Sequence, residues 1–253
     1  MSFALEARGV TRRFGALAAV DGVSLALQPQ RIHAVIGTNG AGKSTLVNLL
    51  SGELPLSTGQ VLLHGQDISR WSQPRRAAAG LNRSYQRNNV FLPLSVRENC
   101  RLAAQARRPA PWKVWERAER CEYSNRIADE AMERCGLAAA GDRLAASLSH
   151  GQKRQLEVAM CLATQPRVVL LDEPLAGMGA EESQRMLALL RTLREDHAVL
   201  LIEHDMDAVF AVADTITVMV NGSVLASSLP EDVRRNPQVQ HAYLGGEQED
   251  ADG

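Results

Sequence analysis

Gly37 to Thr45 read G-T-N-G-A-G-K-S-T, which satisfies G-x-x-x-x-G-K-[S/T], the pattern of a loop that wraps phosphate. Glycines let the backbone fold its N–H groups inward around phosphate oxygens, and the helix that follows adds its N-terminal donors. An exposed helix terminus contributes only about 0.3–1 kcal/mol toward a charge, so no single donor holds a nucleotide. Binding has to be shared among Gly37, Thr38, Asn39, Gly40, Ala41, Gly42, Lys43, Ser44 and Thr45. Within that set Lys43 would reach the β and γ phosphates, and the Ser44 hydroxyl would ligate Mg²⁺.

Three other groups could act on the same phosphates. Asp172 and Glu173 close the apolar run Val168 to Leu171, which puts two carboxylates at the carboxyl end of a buried strand, where open parallel sheets bind ligands. Asp172 would hold the metal through its water shell, and Glu173 would polarise an attacking water. His204 follows the apolar run Val199 to Ile202, so it lands on the same sheet edge. There an imidazole can donate a hydrogen bond to a γ phosphate at neutral pH whether or not it is charged. Leu148-Ser149-His150-Gly151-Gln152 precedes a helical run, and Ser149 as its cap makes a second anion-ready helix terminus. One nucleotide loop and a separate phosphate-binding helix end in one chain imply that two copies share the nucleotide.

The elements that must carry these residues are legible in outline. Ile32, Ala34, Val35 and Ile36 lead into the loop as a strand, and Leu46, Val47, Leu49 and Leu50 lead out of it as a helix. Upstream, Phe3 to Val10 and Val23 to Leu27 read as short strands of a small antiparallel sheet. Arg12, Arg13 and Gly15 then form the connection, with Phe14 on it. Two readings of Phe14 stand, a lid on the core and a ligand contact. Val61 to Leu63 adds a strand, Pro74 to Ala79 a short helix, and Leu81 to Gln86 another strand. Ser95 caps a helical run to Ala106, Pro109-Ala110-Pro111 breaks it, and Trp112 to Cys135 resumes it. Residues 101 to 126 hold seven Lys or Arg against three Glu, either a solvated face or a basic patch near phospholipid headgroups. Strands and helices then alternate as in a parallel α/β sheet: Val168 to Leu171, Glu181 to Arg194, Ala198 to Ile202 and Asp205 to Ala213. A hairpin turns on Asn221-Gly222.

With 45% apolar and 23% charged residues, a formal charge of −1 and a pI near 6.6, the composition is that of an ordinary soluble globular chain and offers no electrostatic case for nucleic acid. Cys100, Cys121, Cys135 and Cys161 form no C-x-x-C pair, so reduced thiols are expected, without zinc or disulfides. Nowhere do about 18 apolar residues run uninterrupted, and the start lacks the layout of a signal peptide. Residues 247 to 253 are acidic and expected to be disordered.

Taken in order, these motifs resemble the ATP-binding subunit of an ABC transporter from about residue 3 to residue 226. The resemblance identifies Gly37 to Thr45 with the Walker A loop, Gln86 with the Q-loop glutamine and Leu148 to Gln152 with the signature motif. Val168 to Asp172 matches Walker B with Glu173 its catalytic acid, His204 the switch histidine, and Phe14 the aromatic that stacks on adenine. It implies an α/β P-loop NTPase fold with a RecA-like parallel core, an antiparallel β subdomain and an inserted α-helical subdomain. Residues 1–246 would form a single domain: the β subdomain and first part of the core in 1–86, the helical subdomain in 87–164, the rest of the core and C-terminal helices in 165–246. It further implies ATP and Mg²⁺ as cofactors, with Lys43, Gln86, Glu173 and His204 catalytic, Ser44, Gln86 and Asp172 at the metal, and Ser149, Gly151 and Gln152 on the nucleotide of a partner copy.

L-S-H-G-Q, D-E-P-L-A-G-M, I-E-H-D-M and A-Y-L-G resemble the importers of branched-chain amino acids, urea and related small solutes. The partners that follow are two transmembrane permease subunits, a second ABC ATPase or another copy of this chain, and a solute-binding protein, at the inner face of a cell membrane. Related importers of urea, amides or aromatic acids, a lipid or lipopolysaccharide exporter, and a soluble non-transport ABC ATPase are the competing readings. A kinase or GTPase is disfavoured, because no N-K-x-D base-reading tetrapeptide occurs. The chain departs from the family pattern at Thr38, where proline is usual, at His150, where glycine is common, and at Gly179, where Asp or Asn generally stands.

Overall fold

The protein is described by a computed structural model covering residues 3–84, 90–105 and 121–244. Two strands open the chain, β1 (Leu5–Phe14) and β2 (Leu17–Leu27), which pair antiparallel along their lengths. They run through Arg12 and Arg13, so the connection is only Gly15-Ala16, and Phe14 is the last residue of β1. The short strands expected from sequence are thereby corrected. Gly9, with φ 55°, lies where the register shifts between Ala7 and Val10, and Gly22, with φ 64°, lies on β2 opposite the next shift, between Val10 and Arg12. They mark bulges inside long strands, which a sequence scan reads as strand ends. With β4 (Thr58–Leu63) and β5 (Gln66–Asp67) these strands form a four-stranded sheet in the order β2-β1-β4-β5.

The second sheet has six strands. β3 (Ile32–Gly37), β6 (Leu81–Arg83), β7 (Val168–Asp172), β8 (Ala198–Ile202) and β9 (Thr215–Val220) are parallel, and β10 (Ser223–Ser228) closes one edge antiparallel to β9. The order is β10-β9-β3-β8-β7-β6. Every residue of β3, β7 and β8 is buried, as expected of central parallel strands covered on both faces. Alternation divides their side chains between two cores. Val35, Val168, Leu170, Leu200 and Ile202 face Leu46, Leu49 and Leu50 of α1 (Lys43–Ser51) and the antiparallel sheet. Ile36, Val169, Leu171, Val199 and Leu201 face the opposite core, with residues of α5 (His150–Ala163), α6 (Ala180–Leu193) and α7 (Met206–Val212).

A short α2 (Gln73–Ala78) precedes β6. α3 (Val96–Gln105) and α4 (Glu122–Arg134) pack on each other and on α5. Ser95 accepts from Glu98 N at 3.1 Å at the start of α3. α8 (Pro230–Arg235) and α9 (Pro237–Leu244) end the described chain. The Pro109-Ala110-Pro111 break, most of the basic stretch, Gln86 and the acidic tail lie outside the described residues. All four cysteines are buried and none is in a disulfide; burial pushes the Cys100 and Cys161 thiols up to about 12.

Candidate functional site

Gly37, Asp172 and Ile202 end three neighbouring strands, with Asp172 paired to Ile202 in register. The loop after β3 therefore opens beside the acids after β7. Its shape depends on glycine at two points. A Cβ on Gly37 would come within 2.3 Å of the Met219 carbonyl, and Gly42, at φ 94°, would place one 2.3 Å from the Ala19 carbonyl. Thr38 contributes only its carbonyl, which accepts from Ala41 N at 3.1 Å and from Lys43 Nζ at 3.1 Å. A main-chain acceptor is indifferent to the side chain, which accounts for threonine standing in the place of proline.

The cavity above this loop holds about 620 Å³. Asn39 to Thr45 line it with Glu173, and Leu17, Ala18, Ala19, Asn221 and Gly222 complete the wall. The Asn221-Gly222 turn was expected as a hairpin but not as a wall of this cavity. Gly222 N donates to Ala41 O at 3.1 Å and Gly222 O accepts from Asp21 N at 2.8 Å, so the turn braces the loop against the antiparallel sheet. Lys43, only 7% exposed, folds its ammonium back onto Gly37 O at 2.7 Å and Thr38 O. Burial lowers its pKa, opposed by the charges of Glu173 and Asp172.

Asp172 is buried. Its Oδ2 accepts from Arg83 Nη2 at 3.2 Å, its backbone N donates to Ser84 Oγ at 3.3 Å, and its Oδ1 is buried with no hydrogen-bond partner. Burial raises its pKa, and the Arg83 guanidinium pulls it down. The unpartnered Asp172 oxygen is buried and Asp172 is not among the residues lining the cavity, whereas Ser44 is exposed on its wall; both are hard oxygen donors of the kind Mg²⁺ takes beside phosphate. Glu173 sits at φ 49° with its N–H on Ile202 O at 2.9 Å. A left-handed backbone at a glutamate is uncommon, and it turns the chain so that successive acids diverge, one buried and one on the cavity.

His204 lies just past β8 with its side chain 60% exposed, 3.8 Å from Glu203 and not among the residues lining the cavity. Sequence reasoning missed Glu203. Its buried carboxylate accepts from Leu175 N at 2.8 Å and from His204 N at 3.3 Å, so it ties the segment after Glu173 to the segment holding His204. Burial raises its pKa. Phe14 is 47% exposed, off the cavity wall, and lies under the Arg12 guanidinium at 4.7 Å. It is not a lid on the core. The turn following it delivers Leu17, which does line the cavity.

Ser149 caps α5 in a full capping box. Its Oγ accepts from Gln152 N at 3.1 Å, and the Gln152 side chain accepts from Ser149 N at 3.2 Å. This terminus is not part of the loop cavity. His150 packs on the segment after Glu173, its Nε2 3.1 Å from Ala176 O. Gly179 is the N-cap of α6, makes no side-chain cap and has open space where a Cβ would go.

The family model described as ABC transporter matches residues 20–176. The chain is 38% identical to the high-affinity branched-chain amino acid transport ATP-binding protein BraF of Pseudomonas aeruginosa over 95% of its own length and 97% of that protein's. Against LivG of Escherichia coli, which carries the same description, identity is 37% over the same shares. A nucleotide-free ATP-binding cassette from an ABC transporter superposes with a TM-score of 0.85 at 28% identity, over 96% of this chain and 99% of that one. A cassette in its ADP conformation gives 0.83 at 27% identity over 97% and 99%.

Proposed function

The chain belongs to the ABC transporter family as an ATP-hydrolysing, nucleotide-binding subunit of an importer, and from that premise we propose that it energises uptake of branched-chain amino acids or closely related solutes through two membrane permease subunits. The observation that supports the cargo is similarity along nearly the whole length of BraF and LivG. No helix among the described residues is long and apolar enough to cross a membrane, which fits a subunit that docks on the inner membrane face. We place the domain limits where the motifs put them: a β subdomain and first part of the core in 1–86, a helical subdomain in 87–164, and the rest of the core with the C-terminal helices in 165–246.

ATP would lie in the cavity above the loop, its phosphates taken by the N–H groups of Asn39 to Thr45. Lys43 would leave the Gly37 and Thr38 carbonyls for the β and γ oxygens. Phe14 would meet the adenine. Stacking of this kind contributes about 1–3 kcal/mol and discriminates little between bases. Ser44, Asp172 and Gln86 would hold Mg²⁺, which when bound would offset charge on the phosphate oxygens. Glu173 would orient and polarise the attacking water, and His204 would donate to the γ phosphate, as electrostatic stabilisation of an in-line displacement requires. The Ser149, Gly151 and Gln152 end of α5 would face the nucleotide of a second ATPase, so both subunits are needed for each site. Gly179 is given no part in the chemistry.

Driving a transporter from 1:99 to 99:1 takes about 5.5 kcal/mol of preference for the closed form. A γ phosphate bridging Lys43 and the second subunit's Ser149 would supply it. A groove lined by Asn82, Ser84, Ala103, Met160 and Thr164, next in the chain to the segment holding Gln86, offers a place where closure could be passed to a permease. Co-purification from gently solubilised native membranes tests the assignment. Recovery with two membrane subunits and a second ATPase supports it, and recovery with no membrane protein overturns it.

A further inference from the structure

We propose that Glu182 is an intramolecular stand-in for phosphate at the amino end of α5, a positioning residue that must swing away before that end can take a γ phosphate. This rests on the reading that the Ser149 to Gln152 terminus receives nucleotide from a second subunit. Ser149 Oγ donates to Glu182 Oε1 at 2.9 Å. The carboxylate lies against Gly151 so closely that a Cβ there would fall 2.3 Å from its Cδ and 2.5 and 2.6 Å from its two oxygens. Gly151 is buried although Ser149 and His150 beside it are exposed. The residue whose missing side chain would let an anion approach is therefore already covered by one.

The contact is held from two sides. Glu182 stands in the first turn of α6, where a carboxylate is favourable to its own helix as well. His150 packs its Nε2 on Ala176 O and lies 3.0 Å from the Cβ position of Gly177. The end of α5 is thus fastened to the Glu173 to Gly179 segment that leads directly into Glu182. A helix terminus satisfied by a carboxylate is more stable than one left open. A terminal phosphate carries more charge and more acceptor oxygens than a carboxylate, and the two anions cannot share Ser149. Displacement of Glu182 consequently raises the ATP concentration at which two subunits close. It also couples that closure to movement of the segment beginning at Glu173.

The test compares the full chain with Glu182→Gln, which keeps the shape and removes the charge, and with Glu182→Ala. Each is titrated with inorganic phosphate while the amide resonances of Ser149, Gly151 and the phosphate loop are followed. Loop amides should respond alike in all three chains. The Ser149 and Gly151 amides should shift saturably only in the two variants. Equal response in all three chains, or none in either variant, overturns the proposal. In a Glu173→Gln background, the ATP concentration for half-maximal dimer should fall at least about fivefold in both variants, the lower end of ordinary coupling between sites. Nucleotide affinity of the monomer should stay unchanged. An unchanged or higher midpoint also overturns the proposal. If the Ser149 and Gly151 amides respond as stated but no chain forms an ATP dimer, either with another copy or with the second ATPase that co-purifies with it, the shared-nucleotide reading falls while the placeholder role of Glu182 stands.

Discussion

Arg83 joins Asp172 to α1: one guanidinium nitrogen holds Asp172 Oδ2 and the other lies 2.5 Å from Asn48 Oδ1. That second nitrogen also reaches Glu53 Oε2 at 2.9 Å. The Arg83 side chain is 6% exposed and that of Asp172 1%. The helix that starts at Lys43 and the strand that ends at the acid are thus fixed to each other through one cation at the far end of α1.

Replacing Arg83 with Met should therefore do more than remove a surface charge. It leaves the buried Asp172 carboxylate without its hydrogen-bonded cation, with only the more distant charges of Lys43 and Arg154 to offset it, at a cost of up to about 3–5 kcal/mol of stability. Its pKa, already raised by burial, would lose the opposing guanidinium and rise further. The acid limb of the ATPase pH profile should move to higher pH, as should the acid limb for nucleotide binding with metal. Unchanged profiles would show that Arg83 does not set the ionisation of Asp172.

Glu173→Gln should leave ATP binding intact and reduce turnover by about 10²–10⁴-fold, the usual contribution of a positioned acid or base. An ATP-bound dimer should accumulate on gel filtration with light scattering. Hydrolysis near the wild-type rate would remove Glu173 from its role.

Phe14 and Leu17 can be separated. Phe14→Ala should weaken ATP affinity with little change in maximal rate. Because Phe14 is 47% exposed, lies outside the buried core and has the Arg12 guanidinium over its ring, the thermal midpoint should barely move. Leu17→Ala removes a cavity-lining side chain that is 68% exposed and should change affinity less. Equal nucleotide dissociation constants for Phe14→Ala and wild type would leave the adenine to another surface.

Acid should destabilise the fold through His33. This imidazole is 4% exposed, bonded through Nε2 to Thr217 Oγ1 at 2.8 Å, and burial holds its pKa down to about 4 from 6.5. The folded state keeps it neutral, so as pH falls below 6.5 the unfolded chain takes up the proton first. By pH 4 the loss is roughly 3 kcal/mol. Urea unfolding of wild type and His33→Gln at pH 7 and pH 5 checks this. The variant should lose less stability over that interval, and parallel losses would exclude His33 as the source.

How much of this was legible in the sequence varies with the range of the interaction. The phosphate loop, the acid pair and the Ser149 cap follow from residues within eight or so positions of one another, and the capping box that completes Ser149 through Gln152 is the structure's addition. The strands β1 and β2 were read too short because glycine gives one signal for a bulge and for a turn. Arg83, Glu203 and Glu182 were not anticipated. Their partners lie in other elements of the chain, and a lone charged residue in sequence says nothing about which distant group it will meet. Arg76 makes the same point. It is buried against the Leu49 and Leu50 carbonyls at 2.8 and 2.7 Å, closing the end of α1 with a side chain that reads as surface.

ATP turnover at this loop drives solute across a membrane. The most direct measurement is uptake of radiolabelled leucine into liposomes carrying the purified complex, with ATP supplied on the face where this subunit sits and the solute-binding protein on the other. Accumulation that requires ATP, and that disappears with Glu173→Gln in this subunit, is the expected result. Uptake that persists unchanged with Glu173→Gln, or ATP hydrolysis without accumulation of leucine or any related solute, would contradict the account.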